Sequence, residues 1–167
     1  SLLEAPLEVD GQLFFIAPNR LVLRDDGFSG AVTRIEGTSV SVRSTQSGAE
    51  DSGAHRRIET SSGQHPGLGW CADRMLRLFA PGPGEGLIAD ARHEVPRGRT
   101  PRLTVRPPRE HLARLELREF TVSFDPVGGA PLRIEIAQAQ GDRHRLDLAD
   151  HRQGMSEAEI ERLIDRN

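Results

Sequence analysis

The feature that most constrains the fold is an alternation of apolar and polar residues in the second half of the chain. It runs through "RLELREFTVSFD", "LRIEI" and "HRLDL". Because neighbouring side chains of a β-strand point to opposite faces, the alternation predicts strands with one buried and one exposed face. The residues expected to be buried in the last two strands are Leu132, Ile134, Ile136, Leu146 and Leu148. Gln140, Gly141 and Asp142 lie between these strands and predict a hairpin turn.

The first of these strands contains a break in its own alternation. Leu115 and Leu117 occupy odd positions, whereas Phe120 and Val122 occupy even ones. A strand that continued without interruption would turn one of the two sets to solvent. We therefore predict a bulge or bend near Arg118–Glu119, which keeps all the apolar residues on one face.

Shorter strands are predicted in the first third of the chain. The run "QLFFIA" (residues 12–17) is almost continuously apolar, which is typical of a strand covered on both faces. "RLVLR" follows and ends at the turn sequence "DDG". "SVSVR" alternates, with Val40 and Val42 inward.

A polar stretch marks a candidate boundary. Residues 44–67 are rich in Ser, Gly, Gln, Glu and His and predict a polar loop or linker. This stretch separates a β-strand segment, residues 1–43, from residues 68–167, which hold a short helix, further strands and a C-terminal helix. We expect one domain overall, because a chain of 167 residues can build a single core.

One internal helix is predicted by the spacing i, i+3, i+4, i+7 of apolar residues. These residues are Ala72, Met75, Leu76 and Phe79. The segment ends at "PGPGEG", where proline and glycine stop a helix. The fold class that follows is mainly β, an antiparallel sandwich or barrel-like structure with this short internal helix and a C-terminal helix.

The C-terminal helix has the best-defined start. Ser156 is its N-cap and Glu159 completes a capping box, while Met155 and Ile160 form a hydrophobic staple. The apolar stripe of the helix consists of Ile160, Leu163 and Ile164. Such a stripe must be covered, and we predict that it packs against the sheet built from residues 120–148.

The composition excludes several classes of enzyme. All 22 basic residues are arginine, so there is no lysine for a P-loop, a Schiff base or a Ser–Lys dyad. No glycine fingerprint opens a helix, and the six histidines (residues 55, 65, 93, 111, 144 and 151) lack metal-ligand spacing. We therefore expect no cofactor and no metal. A single cysteine excludes an internal disulfide and favours the cytoplasm.

The same composition narrows the range of partners. A net charge of -3 gives no general attraction to nucleic acid or to a membrane surface. No apolar run approaches the ~20 residues that span a bilayer, and the start "SLLEAPLEVDG" lacks the features of a signal peptide. A protein or peptide segment is the expected partner, with no membrane and no nucleic acid, and the oligomeric state stays open.

The end of the chain resembles a known family. The order strand, turn, strand, hairpin, strand and "QGMSEAEIERLID" is similar to the end of the substrate-binding domain of DnaK-type heat-shock chaperones. In that family a "V-x-F-D" strand precedes a glycine-containing turn, and a "G-[LM]-[ST]-x-x-E-I" helix start comes last. The matching residues here are Val122, Phe124, Asp125, Gly128, Leu132, Ile134, Gly154, Met155, Ser156, Glu159 and Ile160, within the last 46 residues.

The resemblance implies a non-enzymatic, chaperone-like binding domain. Such a domain recognises an extended segment of another protein by edge-strand addition and apolar pockets. Upstream, "VPRGRTP" (residues 95–101) is similar to the family's "IPRNTxIP" strand start. Only about twenty residues separate it from Val122, so no peptide-contacting residue is carried over.

An alternative is a cysteine-dependent hydrolase or transferase. "GLGWCADRML" places Cys71 in or just before the first helical turn, where the helix dipole stabilises a thiolate. His93 and Asp125, each on or after a later strand, complete the order found in papain-like and transglutaminase-like enzymes. However, Asp73 opposes a thiolate and the apolar stripe of the helix adjoins Cys71, which predicts a buried, unactivated thiol instead.

A second alternative is an arginine-faced anion-binding module. The segment "RGRTPRLTVRPPR" contains no acid, and its arginines are Arg97, Arg99, Arg102, Arg106 and Arg109. On a strand, Arg102 and Arg106 share one face and can bind phosphate or carboxylate bidentately. The flanking acids, among them Glu119, can neutralise this run. No aromatic residue is interleaved to stack on bases, which argues against single-stranded nucleic acid.

Overall fold

The computed structural model of the chain describes residues 8–27, 30–37, 39–44, 56–61, 66–80, 85–89, 92–94, 100–109 and 117–165. These residues form two antiparallel five-stranded sheets and three helices. The fold is therefore mainly β, as the alternation predicts. Both sheets end in edge strands over the described residues, so neither closes into a barrel. No described helix is long and apolar enough to cross a membrane.

The first sheet is a meander in which each strand pairs with the next along the chain. Its strands are β1 (Gly11–Ile16), β2 (Arg20–Asp25), β3 (Val32–Glu36), β4 (Ser39–Ser44) and β5 (Arg56–Ser61). β5 lies within residues 44–67, so the prediction of a loop is wrong for residues 56–61. Its sequence "RRIETS" contains one apolar residue, and the period-two signal is too weak to predict a strand there.

β1 is covered on both faces, as its apolar run predicts. Phe14 and Ile16 are buried on one face, whereas Phe15 lies half-buried on the other. The Phe15 ring stacks on that of Phe79, with 6.2 Å between the centroids. At Gly11 a Cβ atom would stand 2.2 Å from a carbonyl oxygen of β2. Only glycine permits the two strands to approach this closely.

Helix α1 (Pro66–Phe79) packs on the face of the first sheet that carries Phe15. Its buried residues include Ala72, Met75 and Leu76, as the spacing predicts. The helix begins earlier than the apolar spacing indicates. The spacing does not reveal this start, because the first turn carries proline and glycine instead of periodic apolar residues. A four-residue helix, α2 (Glu85–Ile88), follows and has no periodic signal in the sequence.

The C-terminal helix α3 (Glu157–Ile164) begins at the predicted capping box. The Glu159 backbone N–H donates a hydrogen bond to Ser156 Oγ at 3.3 Å. In return, the Ser156 backbone N–H donates to the Glu159 carboxylate at 2.8 Å. These reciprocal bonds satisfy two amide groups at the helix start.

α3 packs on the first sheet, and the prediction that it packs on the sheet of residues 120–148 is wrong. Its stripe joins a buried cluster made of Phe14, Ile16, Val22, Ile160 and Ile164, with Val32, Met155 and Leu163 packed against it. The stripe was predicted correctly, but an apolar stripe fits any apolar face of suitable shape. Sequence proximity to β10 therefore did not identify the face that α3 covers.

Arginines of the first sheet hold the polar side of α3. Arg20 pairs with Glu157 and, at 3.1 Å, with Glu161. Arg24 donates a hydrogen bond to the carbonyl oxygen of Leu163 near the helix end. A cation there also interacts favourably with the helix dipole. The cluster and these polar contacts together fix the helix in one orientation.

The second sheet has the spatial order β10-β9-β8-β7-β6. Its strands are β6 (Arg92–Glu94), β7 (Arg102–Arg106), β8 (Leu117–Phe124), β9 (Pro131–Gln138) and β10 (Arg143–Asp147). The register of β8 on β9 shifts between Leu117 and Glu119, which confirms the bulge at Arg118. Leu117, Phe120 and Val122 are consequently all buried.

The predicted hairpin joins β9 and β10. Gly141 has a φ of +102°, which favours glycine, and its N–H donates to Gln138 O at 3.2 Å. Among the residues predicted to be buried, Ile134 is fully buried. Ile136, Leu146 and Leu148 are half-buried. The prediction is wrong for Leu132, which is 38% exposed. A second register shift, between Ser123 and Phe124, lies at this end of the β8–β9 pair, so burial there no longer follows the alternation of the sequence.

The chain divides into two compact units, where the sequence analysis expected one domain. The first sheet, α1 and α3 belong to residues 3–81 and 155–167. The second sheet belongs to residues 82–154, which are inserted between α1 and α3 in the order of the chain.

We expect Ile160→Ala to lower the free energy of unfolding by about 2–4 kcal/mol, because it removes a buried side chain from the cluster on the first sheet. Urea denaturation followed by circular dichroism measures the change. Arg162→Ala is the matched control: Arg162 is exposed on the same helix, and we expect a change below about 0.5 kcal/mol. An equally small change for Ile160→Ala would show that α3 is not docked.

Candidate functional site

One face of the second sheet is polar from β7 to β10, and we call it the polar face. Its residues are Arg102, Thr104 and Arg106 on β7; Glu119, Thr121 and Ser123 on β8; Arg133, Glu135 and Ala137 on β9; and Arg143, Arg145 and Asp147 on β10. They share a face because directly opposed residues of antiparallel strands do so. The opposite face carries the apolar residues, among them Phe120 and Ile134.

Two threonines form the centre of the polar face. Thr104 and Thr121 are opposite each other and are 6% and 3% exposed. Their hydroxyl oxygens lie 3.1 Å apart in a hydrogen bond. Threonine suits this position because its branched side chain packs on a sheet while its hydroxyl finds a partner across the strand pair.

Around the threonines, arginines and carboxylates of β7 to β10 form ion pairs, some within one strand and some between strands. The pairs are Arg102–Glu135, Arg106–Glu119 at 3.3 Å, Arg133–Asp147 and Arg145–Asp147 at 2.9 Å. All of these side chains are partly exposed, so solvent weakens each pair and the pairs contribute little to the stability of the fold. Their main effect is to hold the charged groups in defined places.

These pairs occupy two of the five arginines proposed as an anion site. Arg102 and Arg106 share a face, as predicted, but each guanidinium already binds a carboxylate. Arg97 and Arg99 lie outside the described residues, and Arg109 is exposed after β7. The flanking acid Glu119 neutralises Arg106 as the sequence analysis considered, whereas Glu135 comes from a strand that it did not connect to this segment.

The charged residues of the hairpin β9–β10 were not predicted to belong to a site. The alternation of the strands indicated only that these side chains face solvent; they are Arg133, Arg143, Arg145 and Asp147. A signal was present in the sequence: in a hairpin paired about the turn at Gly141, Arg133 faces Asp147, and Arg145 faces Glu135 two positions nearer to the turn. Opposite charges in facing positions stabilise a strand pair, so this pattern indicates that β9 and β10 pair with each other.

β10 ends the second sheet in the part of the chain that the structure describes. At one end of its pairing with β9, Gln138 N donates to Asp142 O at 2.9 Å, and at the other end Leu148 N donates to Leu132 O at 2.8 Å. Alternate residues of an antiparallel strand bond to the same neighbour. The even-numbered residues of β10 therefore bond to β9.

The odd-numbered residues of β10 consequently point their backbone groups away from the sheet. Arg143, Arg145 and Asp147 direct their N–H and C=O groups to the outer edge, and all three side chains are exposed. On the opposite face of the strand, Leu146 is half-buried and His144 is exposed. β10 thus offers backbone hydrogen-bonding groups, charges and an apolar contact along one edge.

Cys71 lies in the interior of α1, the sixth residue of a helix that begins at Pro66. The expectation of a first-turn thiol is wrong, because the helix extends further toward the N-terminus than its apolar spacing. Cys71 is 9% exposed, and burial raises the pKa of its thiol to about 12. Desolvation disfavours the thiolate, so the thiol stays protonated at neutral pH.

His93 and Asp125 occupy the predicted strands but not a common site. His93 is opposite Val105, which is opposite Phe120, whereas Asp125 lies five residues beyond Phe120. This separates the two by about 16 Å along the strand direction, at ~3.3 Å per residue. The Asp125 carboxylate instead accepts hydrogen bonds from backbone N–H groups of the β8–β9 turn, at 2.8 and 3.3 Å.

Two of the described histidines, His144 and His151, take part in local hydrogen bonds. His144 Nε2 lies 3.2 Å from Gln138 Nε2, and His151 Nε2 lies 2.9 Å from the carbonyl oxygen of Pro131. Among the described residues, no group of three or more His, Cys, Asp or Glu side chains could hold a metal ion. His55, His65 and His111 lie outside those residues.

Comparison with known proteins does not extend this description. No protein-family model matches the chain, and no curated protein matches it. The resemblance of residues 122–167 to DnaK-type chaperones therefore stays a prediction from the sequence.

We expect Cys71 to react slowly in the native protein, because the thiolate is the nucleophile and burial suppresses it. Iodoacetamide labelling at pH 7, followed by mass spectrometry, should run no faster than labelling of a free cysteine peptide. The same chain in denaturant is the control and should label at the peptide's rate. Rapid labelling of the native protein would instead favour the cysteine enzyme.

We expect Arg133→Gln to raise the pKa of Asp147. The hydrogen bond from Arg133, together with the charges of Arg133 and Arg145, holds the pKa of that carboxyl below its usual range. Because the folded-state pKa is lowered, this stabilisation is present above the unfolded-state pKa and is lost as pH falls through the folded-state value. A carbon-13 NMR titration measures the midpoint, and the exposed Arg152→Gln variant is the control. An unchanged midpoint in Arg133→Gln would contradict the pairing.

Proposed function

We propose that this protein is a non-enzymatic binding domain that takes up an extended segment of another protein by strand addition at β10. The observation that supports the proposal is the outer edge of β10, where Arg143, Arg145 and Asp147 direct backbone N–H and C=O groups away from the sheet. An added strand satisfies these groups with its own backbone. Chaperone-like recognition of extended segments is also what the resemblance implies.

β10 is a better receiving edge than β6 at the other end of the same sheet. β10 spans five residues, whereas β6 spans three. The β6 residue Arg92 also directs its guanidinium to the carbonyl oxygen of Pro107, at 3.2 Å. A longer edge supplies more backbone hydrogen bonds to a ligand, and affinity in strand addition comes chiefly from these bonds.

The competing functions have less support. A cysteine enzyme needs an accessible thiolate, whereas burial raises the pKa of Cys71 to about 12. An anion-binding module needs open guanidinium groups, whereas Arg102 and Arg106 pair with Glu135 and Glu119. The proposal places the protein in the cytoplasm, a reducing compartment suited to a chain with one cysteine.

The test uses a labelled synthetic peptide that copies β9 from Leu132 to Gln138, because β9 already pairs with β10 on its inner side. We expect micromolar binding by fluorescence anisotropy. Arg145→Pro should weaken it at least about fivefold more than Arg145→Ala does. Both variants remove the charge, but only proline removes the outward N–H, and a lost hydrogen bond costs about 1 kcal/mol.

The proline variant is a fair test because an outward-facing position of an edge strand tolerates proline. Circular dichroism should show that both variants keep the fold. Equal binding by the two variants, or no binding of the peptide by the wild-type protein, would contradict strand addition at β10.

A further inference from the structure

The inner side of β10 already shows which side chains suit this strand on the polar face. Arg133 of β9 is opposite Asp147, and Glu135 of β9 is opposite Arg145. Arg133 forms an ion pair with Asp147. Opposite charges in facing positions stabilise a strand pair, and like charges destabilise it. On this face β9 therefore carries the charges that complement β10.

The apolar face of the same strand pair follows a matching order. Ile134 of β9 is opposite Leu146, and Ile136 of β9 is opposite His144. Leu146 remains half-buried after β9 has covered its inner side. An apolar residue of an added strand would cover its outer side and extend the apolar face by one strand.

Arg143 breaks the match on the inner side. It is opposite Ala137, which offers no charge. The guanidinium is exposed, and the ion pairs of the described residues include Arg145 and Asp147 on β10 but not Arg143. Over the odd-numbered positions the outer edge thus presents two arginines and one aspartate, with one arginine uncompensated.

We infer that the β10 edge selects acidic–apolar segments, in which acidic residues face Arg143 and Arg145 and apolar residues lie beside His144 and Leu146. Running antiparallel to β10, such a segment reads basic, apolar, acidic, apolar, acidic. The first four positions repeat the order Arg-Ile-Glu-Ile of β9, and the fifth replaces Ala137 by an acid. This inference rests on the proposed strand addition and adds the chemistry of the ligand.

A second copy of the protein satisfies this edge less well. If two β10 strands paired antiparallel with Arg145 opposite the second copy's Asp147, Arg143 would fall opposite Ala149. In the other register, Arg143 would face Asp147, but the two Arg145 side chains would face each other, and like charges in facing positions destabilise a strand pair. Either register therefore leaves an arginine without a facing carboxylate. A separate acidic segment supplies that carboxylate, and charge complementarity therefore favours it as the occupant.

The experiment compares three labelled peptides with blocked ends, each flanked by serine. Their cores are Arg-Ile-Glu-Ile-Glu, the glutamine peptide Arg-Ile-Gln-Ile-Gln, which lacks both carboxylates, and Ile-Ile-Arg-Glu-Glu, which keeps the composition but loses the alternation. By fluorescence anisotropy in low salt, we expect the first peptide to bind at least about fivefold tighter than either control. Salt should reduce its advantage over the glutamine peptide, because exposed charges are screened.

The protein variant Arg143→Gln should remove most of the preference for the acidic peptide, and Arg152→Gln, which changes an exposed arginine outside β10, should keep it. Equal binding of the acidic and glutamine peptides would overturn the inferred ligand chemistry while strand addition still stands. Loss of all peptide binding would overturn strand addition itself. Sedimentation that shows a dimer which the acidic peptide does not dissociate would identify a second copy as the occupant and overturn the inference.

Discussion

The second sheet is organised around β8, its central strand, in which a bulge at Arg118 keeps the apolar residues on one face. The bulge adds one residue between Leu117 and Glu119 and so brings Leu117 and Phe120 to the same buried face. Cross-strand neighbours share a face, so the choice made in β8 is transmitted to β7 on one side and to β9 and β10 on the other. The separation into an apolar and a polar face thus follows from the alternation in β8, and the bulge keeps Leu117 on the apolar face.

The polar face does little for stability, and in the proposed function it provides the selectivity for a ligand. Its ion pairs are partly exposed and weakened by solvent, whereas the opposite face holds fully buried residues such as Phe120 and Ile134. Charged side chains on an edge strand also discourage unspecific pairing with other chains. An edge that carries Arg143, Arg145 and Asp147 can therefore remain exposed and still accept a segment of complementary charge.

The first sheet differs from the second because both of its faces are covered by helices. Its strands carry apolar residues on both faces, and each face is covered by a helix, α1 on one and α3 on the other. The second helix comes from the far end of the chain, and Arg20 reaches Glu157 across 137 positions of sequence. The helix that follows the last strand in the chaperone resemblance thus completes the core of the N-terminal sheet.

The sequence by itself determined the local features of this protein. Alternation, turn residues and the capping box at Ser156 depend on neighbours within a few positions, and the mainly β class, the bulge and the two longer helices followed from them. Tertiary structure alone decided which sheet α3 covers and that Arg102 is paired with Glu135. These outcomes depend on contacts between distant segments, and a periodic pattern specifies which face of an element is buried without specifying what buries it.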